Sequence, residues 1–190
     1  QIKIITPNDL SNEIQNKINI LLKRGKKRGY AYWFWKPLIL MELLKKINEG
    51  DILHYLDVGF HINQTLSKRM SEYVEFISQR NIWLLAFQYQ NIDNRFPNKF
   101  NYPKREEYKY TKGDLLNYFK VTENKEITHS AQFSAGNFFI KKNYNSIFFL
   151  QEWINVFENK FGLVDDTPSK IKNLTGFLEN RHDQSVFSLL

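Results

Sequence analysis

The chain has 190 residues, of which 16% are aromatic, with a formal net charge of +7 and no cysteine. This length suffices for one domain with a hydrophobic core, and the lack of cysteine excludes disulfides, cysteine-ligated zinc and a thiol nucleophile. No apolar run approaches the ~20 residues of a membrane span, and the N-terminus lacks a signal-peptide pattern. The positive charge favours an anionic partner, although lysine-rich composition bias explains it equally well.

Hydrophobic periodicity predicts strands that alternate with helices. Pro37 suits the first turn of a helix, and Gly50 is a residue that ends one. The predicted elements are a strand over Ile2–Ile5, a helix over Asp9–Lys23, a helix beginning at Pro37, a strand over Ile52–Leu56, a helix over Ser67–Gln79, a strand over Ile82–Phe87, a helix over Gly113–Phe119, a strand over Gln132–Ile140, a helix over Tyr144–Glu158 and a last helix over Asp183–Leu190.

This alternation predicts an α/β fold with parallel strands in one domain spanning residues 1–190. The long polar and aromatic segment Gln88–Tyr110 interrupts the pattern and is typical of a functional lid.

The segment Arg28–Pro37 contains five aromatic residues within six positions, followed at once by Lys36. These rings fit packing between a helix and the sheet, where each buried ring contributes roughly 1.5–3 kcal/mol. A flat aromatic surface beside a cation also suits a nucleobase and its phosphates. Both interpretations stay open from spacing alone.

Asp57 follows the predicted strand Ile52–Leu56 and is followed in turn by Val58 and Gly59. In open α/β sheets, ligands bind beyond the carboxyl ends of strands. Asp57 can therefore supply a hard oxygen ligand to a metal, and Gly59 lets the backbone approach a ligand. A turn-capping role for Asp57 is the structural alternative.

A third polar group, Arg181-His182-Asp183-Gln184, begins the last predicted helix. Asp183 has the chemistry of a helix N-cap, and a helix N-terminus also favours anions. A mixed structural and functional role is expected. The basic runs Lys23–Arg28 and Lys99–Lys112 have the composition of a solvated surface.

The ordered motifs RGYAYWFWKP, GDILHYLDVG, TKGD, QFSAGNFFIKKN and HDQSVFSLL resemble those of bacterial GT-A-fold glycosyltransferases that build capsule and lipopolysaccharide oligosaccharides. The resemblance runs from about Leu10 to Leu190. It implies a GT-A-like, Rossmann-like fold with a central, mostly parallel sheet flanked by helices, and we expect the chain to be truncated at its N-terminus. It also implies a UDP-type nucleotide-sugar donor and a divalent metal, Mn²⁺ or Mg²⁺.

The resemblance assigns roles to residues at the matching motifs. The Asp-x-Asp motif of such enzymes stands here as Asp57-Val58-Gly59, which lacks the second carboxylate. Asp57 and His182 are the expected metal ligands, and Asp183 and Lys36 are the expected catalytic residues. The residues expected to bind the nucleotide sugar are Arg28, Tyr32, Trp33, Trp35, Lys36, Asp57, Gly59, Lys112 and Gln184.

In this arrangement Ile52–Leu56 is a central strand, and Lys36 points into the same cleft as Asp57. His182 and Asp183 approach that cleft from the side opposite the aromatic segment.

The predicted function is transfer of a sugar to a surface glycan acceptor in the cytoplasm, with peripheral contact at an anionic inner membrane face. No nucleic-acid partner is expected. The alternatives are a non-catalytic sugar-binding domain and a nucleic-acid-binding module that would use the aromatic residues for stacking.

Overall fold

A computed structural model of the chain describes residues 2–63, 65, 67–79, 81–89 and 104–190. Within these residues the sheet has three strands, β1 (Ile52–Leu56), β2 (Leu84–Gln88) and β3 (Phe133–Lys141), in the order β1–β3–β2. Both pairings are antiparallel, and Phe138 of β3 lies opposite Tyr55 on one side and Ala86 on the other.

The predicted central, mostly parallel sheet of GT-A type is therefore wrong. β1 and β2 run in the same direction, as the strand–helix–strand pattern predicts, but they do not pair with each other. The later strand β3 lies between them and runs the opposite way, so that β1 is at an edge of the described sheet rather than at its centre. Local periodicity carries no information about such a non-local insertion.

All six predicted helices are present, with most boundaries differing by a few residues. They are α1 (Asn12–Lys23), α3 (Trp35–Lys46), α4 (Ser67–Gln79), α6 (Gly113–Tyr118), α8 (Tyr144–Asn159) and α9 (Asp183–Leu189). The described residues also contain three short segments that were not predicted: α2 (Gly29–Tyr32), whose residues have left-handed rather than α-helical backbone angles, α5 (Glu107–Tyr110) and α7 (Lys125–Thr128). The structure corrects the start of α1, which is Asn12 rather than Asp9. There Ser11 accepts a hydrogen bond from the Ile14 N–H as the N-cap.

The hydrophobic core lies between the sheet and helices α1, α3, α8 and α9. Large side chains from separate elements meet there, among them Leu40 of α3, Phe138 of β3 and Trp153 of α8, all fully buried. Ile77 of α4 is also fully buried. The core thus holds α3 and α9 against the sheet and fixes where their first residues lie.

Two other predictions have different outcomes. The strand predicted over Ile2–Ile5 is wrong, because these residues form no regular structure and Ile2 and Ile4 are exposed. The lid predicted over Gln88–Tyr110 lies mostly outside the described residues, which exclude 90–103. None of the helices in the described ranges has the length and apolar character needed to cross a membrane.

Helix α6 ends in a left-handed residue that is not glycine. Lys120 has φ +59° and is exposed. Its N–H bonds to the Asn117 carbonyl at 2.9 Å, and the Val121 N–H bonds to the Leu116 carbonyl at 3.0 Å. This is the Schellman arrangement, in which glycine is the preferred residue at the left-handed position.

We predict that Lys120→Gly raises the free energy of unfolding by about 1 kcal/mol, because glycine removes the left-handed backbone penalty. Urea unfolding measures the change. Lys120→Ala is the matched control, since alanine shortens the side chain but keeps the penalty. Equal stability of the two variants would contradict the prediction.

Candidate functional site

The centre of the candidate site is a buried ion pair between the first turn of α3 and the first residue of α9. Lys36 and Asp183 are 2% and 5% exposed, and the Lys36 ammonium donates to Asp183 Oδ2 at 2.6 Å. The same ammonium donates to the Ala135 carbonyl of β3 at 3.1 Å. The pair therefore joins two helices to the central strand.

Asp57 extends this pair towards the surface, at the carboxyl end of β1. Its Oδ1 lies 3.8 Å from the Lys36 Nζ and accepts a hydrogen bond from the Tyr55 hydroxyl at 2.6 Å. Its N–H donates to the Gly136 carbonyl at 2.8 Å. The side chain remains 40% exposed. Asp57 is thus the member of this group that a ligand in solution can reach.

Gly136 of β3 provides the space for the Asp57 carboxylate. A Cβ atom at this position would lie 2.6 Å from Asp57 Oδ2, which is closer than any normal contact. By contrast, Gly59, which was predicted to allow backbone approach, is exposed with open space around it. The close approach therefore occurs at Gly136, a position that the sequence did not indicate.

Burial controls the protonation of the site. It raises the pKa of Asp183, although the adjacent Lys36 charge opposes this effect. Burial also raises the pKa of Tyr55, and the neighbouring Asp57 carboxylate adds to the rise. Tyr55 therefore stays protonated and acts as a hydrogen-bond donor to Asp57 across the physiological pH range.

The aromatic segment packs against His182 rather than leaving its rings free. Trp33 stacks on the imidazole with ring centroids 5.8 Å apart, and Tyr32 contacts it edge-on at 4.9 Å. The Tyr32 hydroxyl donates to Asp166 at 2.6 Å. His182 consequently lies on the same side as the aromatic segment, and the prediction that it approaches from the opposite side is wrong.

Both ring nitrogens of His182 face protein groups. Nδ1 lies 2.5 Å from the Val164 carbonyl, which requires a proton on Nδ1. Nε2 lies 3.6 Å from Asp166 and is buried without a hydrogen-bond partner among the described residues. Burial lowers the pKa of His182, so the ring is neutral near pH 7.

The backbone on both sides of this contact is strained. Residues Tyr30–Trp33 have φ between +54° and +66°, a run of left-handed residues without glycine, and His182 has φ +55°. Each residue in such a sparsely populated backbone region costs roughly 1–3 kcal/mol. Such strain persists only where the surroundings fix the conformation, and it clusters at functional sites.

The other predicted binding residues contact protein groups outside the pair of Lys36 and Asp183. Arg28 forms an ion pair with Asp166 at 2.8 Å, and the Trp35 indole N–H donates to the Gly29 carbonyl at 3.3 Å. Lys112 and Gln184 also form hydrogen bonds to protein groups away from that pair.

Buried Lys112 donates to the carbonyls of Asp165 and Thr167 at 3.2 and 3.1 Å. Gln184 donates to the side chain of Gln132 at 2.8 Å. The structure therefore brings together Lys36, Asp57 and Asp183, and it places Lys112 and Gln184 in internal hydrogen bonds.

Three participants were missed from the sequence: Tyr55, Gly136 and Asp166. Tyr55 lies in β1 and Asp57 follows directly after that strand, and a spacing of two residues along an extended chain puts both side chains on one side. That signal was available. Gly136 lies at the site because β3 packs beside β1. Asp166 lies there because of the way the segment after α8 packs.

The fit of a divalent metal rests on Asp57 alone. The described residues contain no group of three or more His, Cys, Asp or Glu side chains arranged to hold a metal ion. Mg²⁺, however, is often held by one or two carboxylates together with substrate phosphates and water. The exposed Asp57 fits this mode, whereas no contact links His182 to Asp57 in the described structure.

Comparison with protein-family models, with curated proteins and with solved structures found no match to this chain.

We predict that Asp183→Asn lowers the free energy of unfolding by about 3–5 kcal/mol, because it removes the buried counter-charge of Lys36 and leaves only the partly exposed Asp57 carboxylate at 3.8 Å. Urea unfolding measures the loss. A Lys36→Met, Asp183→Leu double variant should recover most of it, since two apolar side chains can replace a buried pair.

Glu158→Gln is the control for this prediction. Its carboxylate is 36% exposed and pairs with Lys17 at the surface, away from the site, so its loss should cost no more than about 1 kcal/mol. If Asp183→Asn is equally mild, the buried pair does not have the structural role assigned to it.

His182 generates a separate prediction for pH. Because burial lowers its pKa in the folded state, the unfolded chain takes up the proton first as the pH falls below about 6.5. The stabilising contribution of neutral His182 is therefore complete above that pH and is lost as the pH falls through the folded-state pKa.

Unfolding of His182→Gln between pH 5 and pH 7 should show a shallower pH slope than unfolding of the wild type. His61→Gln, which changes an exposed histidine, should leave the slope unaltered. A slope that His182→Gln does not change would show that another group causes the dependence.

Proposed function

We propose that the chain is a nucleotide-sugar-dependent glycosyltransferase, a hexosyltransferase that moves a sugar from a nucleotide-diphosphate donor to a surface glycan acceptor. The observation that carries this proposal is the convergence of Lys36, Asp57 and Asp183, three residues from distant motifs, at one partly open strand end. The site does not depend on a parallel sheet, because its members come from α3, α9 and the end of β1.

In the proposed mechanism Lys36 is a positioning residue. Its ammonium is already bound to Asp183 and to the Ala135 carbonyl. Lys36 therefore has little capacity left to neutralise a diphosphate. Its contacts favour a role in fixing the position of Asp57, with Asp183 acting through Lys36.

A divalent cation, Mn²⁺ or Mg²⁺, fits the charge of this site. Lys36 faces two carboxylates, Asp57 and Asp183, so the site offers no free positive charge to a diphosphate. Asp57 would hold the metal from the protein side, and the bound ion would neutralise charge on the leaving diphosphate. Tyr55 and Lys36 would keep the Asp57 carboxylate oriented for this contact.

A non-catalytic sugar-binding domain is the second candidate. The burial of Asp183 favours this candidate, because of the two aspartates Asp57 and Asp183 only Asp57 is accessible to a ligand. A nucleic-acid partner is not proposed, because Tyr32 and Trp33 are engaged with Asp166 and His182 rather than presented as a stacking platform. We place the protein in the cytoplasm, with its positive charge in peripheral contact with an anionic membrane face.

The test is donor-sugar hydrolysis and transfer, measured over a panel of nucleotide sugars with and without Mn²⁺. We predict activity that requires both the metal and Asp57. Gly136→Ala should reduce it by about 100-fold, because the added methyl group displaces the Asp57 carboxylate.

Gly59→Ala is the matched control, since it adds the same methyl group in open space, and it should retain activity. Stabilisation by free glycans without any effect of nucleotide or metal would favour the non-catalytic alternative. Full activity in Gly136→Ala would show that Asp57 does not contact the donor.

A further inference from the structure

Phe60 is an aromatic residue beside the site that packing does not explain. Its side chain is 45% exposed, and it does not belong to the hydrophobic core or to the residues packed against that core. The described structure gives its ring no aromatic partner. Val58, which directly follows Asp57, is fully exposed, so the loop after β1 presents apolar side chains to solvent next to Asp57.

The ring of Phe60 is held at a defined place relative to Asp57. A tight turn joins the two residues, with the Phe60 N–H donating to the Asp57 carbonyl at 3.0 Å. Both side chains lie over Gly136. A Cβ built on that glycine would meet Asp57 Oδ2 at 2.6 Å and Phe60 Cε2 at 3.1 Å. The ring and the carboxylate therefore form neighbouring parts of one surface.

This pairing of groups matches the two kinds of surface on a sugar ring. The face of an aromatic ring carries partial negative charge, which attracts the weakly polarised C–H groups of a pyranose. A carboxylate beside it accepts hydrogen bonds from the sugar hydroxyls. Binding sites commonly combine an aromatic wall with a few fixed polar groups in this way.

We propose that Phe60 is the residue on which a sugar ring stacks while Asp57 accepts hydrogen bonds from the hydroxyls of that sugar. This inference rests on the proposed function and adds to it a positioning residue for the sugar itself. The sugar can belong to the donor or to the acceptor glycan, because both present the same pyranose chemistry.

The test is ligand-observed NMR with three kinds of probe: UDP, UDP-glucose and a panel of methyl glycosides and oligosaccharides, with the diamagnetic Mg²⁺ present. In Phe60→Leu, affinity for the sugar-bearing ligands should fall about 3- to 10-fold. Affinity for UDP should stay constant, since the nucleotide does not touch the ring. Phe60→Trp keeps an aromatic face and should retain sugar binding.

Phe148→Leu is the matched control, because Phe148 is an exposed aromatic residue on α8, outside this site. Thermal melting of each variant verifies that it is folded. A loss seen with UDP-glucose alone assigns the ring to the donor sugar, whereas a loss seen with glycosides assigns it to the acceptor. Either result supports the proposal.

Three results would overturn the inference: unchanged sugar binding in Phe60→Leu, an equal loss for UDP and sugars, or no sugar binding by the wild type in either arm. If the proposed function is wrong, the result is different: the wild type binds no nucleotide. The affinities of wild type and Phe60→Leu for the glycosides would then still show whether Phe60 contacts a sugar.

Discussion

The buried ion pair between Lys36 and Asp183 is the interaction on which the remainder of the site depends. Two charges removed from water cost several kcal/mol each, and only close geometry and further hydrogen bonds offset that cost. Here the Ala135 carbonyl supplies one such bond, and Asp57 adds a second carboxylate nearby. The pair connects α3, α9 and β3 at a single point, so the position of Asp57 follows from how these elements pack.

The strained backbone next to the pair serves the same arrangement. Only Phe34 separates the left-handed run Tyr30–Trp33 from α3, and His182 directly precedes Asp183. Stacking of Trp33 on His182 connects the two strained segments. The packing of these rings therefore offsets part of the cost of the strained backbone. The positive-φ conformation also fixes the direction in which the chain enters α3 and α9, and so where Lys36 and Asp183 lie. The aromatic segment thus supports the site instead of forming its binding surface.

Local features of the sequence predicted local structure well. Apolar periodicity placed α4 at its observed bounds, and the apolar run before Asp57 placed β1 correctly. The motifs around Lys36, Asp57 and Asp183 also indicated residues that the fold brings together. What could not be predicted is non-local: the insertion of β3 between β1 and β2, the space above Gly136 and the approach of Asp166 to His182. Each depends on contacts between distant segments, which periodicity and spacing do not encode.

The most direct test of this account is a crystal structure of the chain with UDP and Mn²⁺. The account predicts a metal ion between the diphosphate and the Asp57 carboxylate, with Lys36 still bound to Asp183 and to the Ala135 carbonyl. A diphosphate bound directly to the Lys36 ammonium, with Asp183 displaced, would contradict it, because Lys36 would then be a ligand-binding cation rather than the residue that fixes the two aspartates.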